Sequence, residues 1–174
     1  MQIRLFLGLK PNPTQMHSLV VMQQQLAGMG RPVPADNLHM TLFFLGTIEQ
    51  ADADVFVSAI DSQCWQSYSV TFGQLRLWRK PKILCLAGTA SDSRLQSSVA
   101  EIRAIAKTVA LQDPFTAFTP HITLMRKATA LPEDSCNLLP EPLIIEAESM
   151  HLFQSVSHES GVEYQIIKSW PLRH

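Results

Sequence analysis

The same four-residue pattern closes two stretches of this chain: His39-Met40-Thr41-Leu42 and His121-Ile122-Thr123-Leu124. With six histidines and ten threonines among 174 residues, chance supplies His-x-Thr-Leu on the order of 0.04 times, so a doubled copy is a constraint on the fold. What precedes each copy is also alike. Residues 3–9 form a short apolar run followed by Lys-Pro-Asn-Pro, which reads as a strand and a turn. Residues 14–27 carry Met16, Leu19, Val20 and Leu26 at helical spacing, and Gly28 and Gly30 end the stripe. Arg31-Pro-Val-Pro cannot be helical, and residues 38–45 then read as a strand. In the second stretch, residues 83–88 read as a buried strand. Residues 91–111 read as the longest helix, with Leu95, Val99, Ile102, Ile105, Ala106 and Val109 on one stripe and Ser91 or Asp92 as N-cap. Residues 121–125 read as a strand entered through Pro120. His39 lies 36 residues after Ile3, and His121 lies 38 after Ile83. Matching elements at nearly matching distances predict an internal duplication with a pseudo-two-fold relation.

The remaining segments fit that plan. Residues 52–60 read as a helix, residues 68–77, 143–148, 151–156 and 162–167 as strands, and the Pro-rich residues 131–142 as a loop. Short strands interleaved with few helices predict an α+β fold with antiparallel sheets. The length fits one domain over residues 1–174.

Composition narrows the function classes. A hydrophobic share of 46% excludes a disordered chain. Fourteen basic against fifteen acidic residues give net charge −1, without the basic surplus of a broad duplex- or membrane-binding surface. Phosphate recognition, if present, must be local. Cys64, Cys85 and Cys136 form no CxxC pair and no disulfide framework, which points to a reducing compartment. The opening MQIRLFLGLKP is too short in apolar residues for a secretory core, and no run approaches the ~18 apolar residues of a membrane span. The expectation is a cytoplasmic protein, monomeric, with no membrane contact and no obligate protein partner.

Side chains two apart on a strand share a face, so His39 projects with Thr41 and His121 with Thr123, while Leu38, Met40, Leu42, Phe44, Ile122 and Leu124 face the other way. Two imidazoles with ordinary pKa near ~6.5 can hold opposite protonation states around neutrality, one as base and one as acid. Cleavage of a phosphodiester or opening of a cyclic phosphate needs both. The threonine hydroxyls can donate to non-bridging phosphoryl oxygens. A lone His-x-Thr is ordinarily structural; the doubled, equivalent placement reverses that reading. A zinc site of His39, His121 and His151 is the competing arrangement, but no Asp or Glu lies at ligand spacing to either motif histidine, and HExxH and DxH are absent. The scheme calls for no metal and no cofactor. His17, His151, His158 and His174 have no paired context and read as surface or structural.

The paired motifs resemble those of the two-histidine phosphoesterases, and within them the bacterial RNA 2′,3′-cyclic phosphodiesterases, also called 2′-5′ RNA ligases. The likeness runs through RLFLGL, GRPVPADNLHMTLFFLG, TPHITLMRK and LFQS…GVEYQIIKSW, and is only general between about residues 50 and 90. It implies a single bilobal α+β domain, in which duplicated β-α-β-type units form two lobes with antiparallel sheets around a central groove and the histidines face across it. It also implies hydrolysis of RNA 2′,3′-cyclic phosphate ends to 2′-phosphomonoesters, with His39 as proton donor to the leaving ribose oxygen and His121 as the base activating water. The substrate would be an RNA or oligonucleotide ending in a cyclic phosphate. The reverse joining reaction and a non-catalytic RNA-end binding module are the alternatives. Arg126 matches an arginine common at that point in the family and would contact the phosphate or a base, although strict alternation puts it on the face opposite His121. Trp78 sits among Arg76, Arg79, Lys80 and Lys82, a cluster that reads first as a solvated hairpin connection and second as an RNA contact. Phe6 reads as core before it reads as a base-stacking surface.

Overall fold

The computed structural model describes residues 1–111, 117–135, 138–139 and 141–174. The first unit runs β1 (Gln2–Leu9), α1 (Pro13–Gln25), β2 (Arg31–Pro32) and β3 (Met40–Glu49). Alternation along β1 buries Ile3, Leu5, Leu7 and Leu9 on one face and leaves Arg4, Phe6 and Gly8 on the other. Asn12 starts α1 through a capping box: its side chain accepts the Gln15 N–H, and the Gln15 side chain accepts the Asn12 N–H. Then come α2 (Gln50–Asp61) and β4 (Tyr68–Trp78). The second unit is β5 (Ile83–Thr89), α3 (Ser93–Thr108) and β6 (His121–Arg126). Asp92, one of the two expected caps, accepts the Arg94 N–H at the start of α3. That helix stops three residues before the expected end, and Ala110 has turned to φ 56°. Strands β7 (Leu143–Ala147), β8 (Ser149–His158) and β9 (Gly161–Pro171) close the chain. Part of the expected loop over residues 131–142, with Cys136, lies outside the described residues. Among the described residues, the one strand that the sequence did not announce is β2, two residues long and half proline.

All the strand pairings are antiparallel, in the order β7-β4-β5-β6-β3-β1-β8-β9, with β2 also on β6. The expected duplication is visible in this order. Strands β3, β1, β8 and β9 fan out on one side of the centre, and β6, β5, β4 and β7 on the other. The halves meet at a single register pair, Met40 with Ile122. The two lobes are thus halves of one continuous sheet. The helices cross over: α1, from the first unit, lies against β6, and α3, from the second, against β3 and β4. Between helices and sheet sit Leu19, Leu26, Phe56, Ile60, Leu95 and Ile102 against Leu5, Leu7, Met40, Leu84, Leu86 and Ile122, all fully or almost fully buried. Each such side chain contributes about 1.5–3 kcal/mol relative to exposure. The opposite face of the sheet forms the groove.

Candidate active site

The residue between His and Thr in each motif makes the central contact of the sheet. Met40 and Ile122 are 1% and 0% exposed, in the core, so their neighbours on either side must face the groove. Continuing the antiparallel register one step sets His39 across from Thr123 and Thr41 across from His121. All four line the same groove; each histidine shares a face with its own threonine, as the spacing predicted.

Arg126 also lines it, and the strand shows why simple alternation failed. Leu84 pairs with Met125 and Cys85 with Thr123, so Leu124 is an extra residue, a β-bulge. The bulge buries both Leu124 and Met125 and turns Arg126, three residues past Thr123, onto the face of Thr123. The bulge is held from behind: the Leu124 carbonyl accepts from the Val33 N–H at 2.9 Å and from the buried Gln23 amide at 2.8 Å.

Each motif histidine is aimed by its backbone. A carbonyl only accepts, so His39 Nδ1 donates to Asn37 O at 2.6 Å and His121 Nδ1 donates to Thr119 O at 2.9 Å. Both rings therefore present Nε2 to the groove. His39 Nε2 lies 3.1 Å from the Thr41 hydroxyl. Asn37, which the sequence reading did not single out, ties this corner together. Its side chain donates to Val162 O at 2.6 Å and accepts the Tyr164 N–H at 2.9 Å, fastening β9 to the turn that holds His39.

The two histidines sit in different surroundings. His39 packs against Phe6 at 4.6 Å, Phe153 at 5.9 Å and the edge of Tyr164 at 5.1 Å. Phe6 is core, as expected, and still presents its ring to the catalytic candidate. Tyr164 carried no sequence signal, since an edge-strand tyrosine is ordinary. Burial pushes His39 from 6.5 down to about 4, against the bond to the Asn37 carbonyl and with help from the charges of His121 and Arg126. Burial lowers His121 as well, with the Thr119 carbonyl opposing. Trp78 lies 4.4 Å from the His121 ring, so the first reading of it as a solvated connection gives way to a wall of the groove. Arg4, Lys10, Arg31 and Lys80 add positive charge around the groove, against Asp36 and Glu163. A chain of net charge −1 thus concentrates cations where an anion would bind. His151 bonds Ser169 at 2.8 Å, His158 pairs with Glu163 at 3.0 Å and His174 bonds Ser67 at 3.0 Å. Among the described residues no three His, Cys, Asp or Glu side chains could hold a metal ion together, and no helix is long and apolar enough to cross a membrane.

No protein-family model matches the chain. It is 31% identical over 101 residues to the RNA 2′,3′-cyclic phosphodiesterase of Escherichia coli strain K12, a stretch covering 58% of this chain and 57% of that relative. Among solved structures, E. coli LigT in its apo form superimposes with a TM-score of 0.83 at 23% identity, covering 99% of each chain. E. coli LigT complexed with 3′-AMP gives a TM-score of 0.86 at 22% identity, covering 100% of each. The likeness read from the two motifs is thus met from two sides: a curated RNA 2′,3′-cyclic phosphodiesterase is a sequence relative, and the fold of this chain is the fold of the LigT structures.

Proposed function

We propose that this chain, acting as a single bilobal domain, is a hydrolase that opens RNA 2′,3′-cyclic phosphate ends to 2′-phosphomonoesters. The observation that carries the reading is the pair of histidines on one groove face, each with Nδ1 bonded to a backbone carbonyl and Nε2 turned to the groove, where that of His39 also meets the Thr41 hydroxyl. The curated relative's activity and the LigT fold support the substrate class.

In this scheme the cyclic phosphate lies between the halves of the sheet. Thr41 and Thr123 donate to its non-bridging oxygens, and Arg126 balances its charge. His121, neutral at Nε2, takes a proton from water as the water oxygen attacks phosphorus in line with the P–O3′ bond. That bond breaks, and His39 donates its Nε2 proton to the departing O3′. The phosphate stays on O2′. His39 must be protonated for this, although its burial disfavours the charged form. The bound phosphate anion raises the proton affinity of His39, because its negative charge offsets Arg126 and His121. Asn37 fixes the tautomer and the aim of the ring.

Incubating the purified protein in EDTA with a nucleoside 2′,3′-cyclic phosphate, and identifying the product, tests the proposal. A 2′-monoester supports it. Binding without turnover would leave an RNA-end binding module, and loss of turnover in EDTA with recovery on adding zinc would replace the acid–base scheme by a metal-dependent one. Adding an RNA with a 5′-hydroxyl reads out ligation.

A further inference from the structure

Arg31 and Arg126 are register partners in β2 and β6, so their side chains leave the sheet on one face, next to each other. Both line the groove. Like charges directly opposite in an antiparallel pair destabilise it, and among the described residues no carboxylate forms an ion pair with either guanidinium. The backbone nevertheless holds them there. A Cβ on Gly30 would stand 2.6 Å from the Arg126 carbonyl oxygen, so the chain passes too close for any side chain at that point. Val33 donates to Leu124 O at 2.9 Å, and the Gln23 amide donates to Val33 O and to Leu124 O, each at 2.8 Å. Two cations are thus set side by side on a fastened segment, facing the groove.

We propose that Arg31 forms, beside Arg126, a subsite for a second phosphate: the phosphodiester that precedes the cyclic end of an RNA chain. This rests on the phosphodiesterase reading above. A cyclic phosphate carries one negative charge, which one guanidinium balances. A second guanidinium calls for a second anion, and on an RNA end the nearest one is the preceding phosphodiester. The row continues in the same register: Ile83 is the partner of Arg126, and Trp78 of Ile83, so an apolar side chain and an indole stand next to the cations for a ribose and a base. The groove encloses about 1250 Å³, more than the ~300–1,000 Å³ typical of a site for one small ligand.

The test compares kcat/KM for a nucleoside 2′,3′-cyclic phosphate with that for a dinucleotide bearing the same cyclic end. The wild-type protein prefers the dinucleotide. In Arg31→Gln that preference falls about tenfold or more, the usual effect of losing a charge-assisted bond. Arg31→Lys keeps part of it, since the charge remains while the planar fork is lost. The slope of log kcat/KM against log salt for the dinucleotide also becomes shallower by about 0.7 in Arg31→Gln, the value for one phosphate contact on a single strand. Equal losses on both substrates would put Arg31 on the reacting phosphate and overturn the second subsite. So would an unchanged preference, an unchanged salt slope, or a wild-type protein that treats the two substrates alike. A wild-type protein that turns over neither substrate would instead overturn the phosphodiesterase reading itself.

Discussion

Phe44 and Arg126 occupy equivalent places in the two halves of the sheet, each three residues beyond its motif threonine and each turned to the groove by a bulge at the intervening leucine. In β3 the skipped residue is Leu42, since Gly8 pairs with Thr41 and Leu7 with Phe43, so Phe44 lines the groove and not the core face on which strict alternation put it. In β6 the skipped residue is Leu124. The frame is shared and the chemistry is not. The second half delivers a guanidinium directly, while the first offers an aromatic ring, over which the Arg4 guanidinium lies at 5.2 Å. The duplicated backbone thus holds an asymmetric charge pattern, and it surrounds His39 with more aromatic carbon than His121. Two equivalent histidines acquire different proton affinities from their neighbours.

The proposed scheme requires both histidines for turnover and neither for folding. His39→Ala and His121→Ala each lose at least about a hundredfold in kcat, the lower range for one acid or base step, while the far-ultraviolet circular dichroism stays that of the wild type. Either variant retaining most of its activity would remove that histidine from the chemistry.

Gln23 lies behind the sheet and acts on the groove only through the bulge. Gln23→Leu leaves the Val33 and Leu124 carbonyls short of their buried amide partner, which costs about 1–3 kcal/mol. For a chain of this size, that lowers Tm by several degrees, at about 2–4 °C per kcal/mol. Because Leu124 sets the direction of Arg126, KM rises more than kcat falls. An unchanged KM alongside a lowered Tm would make Gln23 purely structural.

How legible these features were in the sequence depends on the distance over which each is determined. Strand and helix positions came from local periodicity, and the candidate pair His39 and His121 from a motif whose two copies are alike. The Asp92 cap was readable because its partner N–H lies two residues away. Arg126 defied alternation because a bulge is written in the register against β5 and in the reach of Gln23 from α1, neither of which is local. The role of Asn37 depends on Val162 and Tyr164, more than 120 residues further on. The Arg31 pairing depends on a two-residue strand that propensity does not mark. Trp78 looked like a connection because the sequence does not show that β4 runs far enough to bring it to His121.

The low proton affinity of His39 also shows in stability. Its folded value, about 4, lies below the ordinary 6.5, so between those values the unfolded chain binds more protons than the folded one. Stability therefore rises with pH across that window and is lost as pH falls through it. The full effect of such a shift is about 3 kcal/mol, and the partial exposure of the ring reduces it. His121 and His151, both lowered by burial, act in the same direction. Urea midpoints measured at pH 4.5 and 7 show a smaller difference for His39→Gln than for the wild type. Equal differences in the two proteins would mean that His39 titrates normally.

The last prediction separates the roles of the two histidines. The pseudo-two-fold frame lets either one be the acid, and burial lowers the proton affinity of His39, which taken alone would favour it as the base. The assignment of His39 as donor therefore requires that a phosphate anion raise it. A ¹⁵N titration of the histidine rings in saturating 2′-nucleoside monophosphate shows His39 shifted upward from its value in the free protein. The chemical test uses a cyclic substrate whose 3′ oxygen is replaced by sulfur. A thiolate leaves without a proton, so this substrate restores turnover to His39→Ala far more than to His121→Ala, which still lacks the base that activates water. Because the acid and base belong to one coupled pair, the wild-type pH–rate profile is bell-shaped, with limbs belonging to the pair and not to single residues. In His39→Ala with the sulfur substrate the alkaline limb, which reports loss of the acid, disappears. Rescue of His121→Ala instead, or a 3′-monoester from the natural substrate, would reverse the two roles.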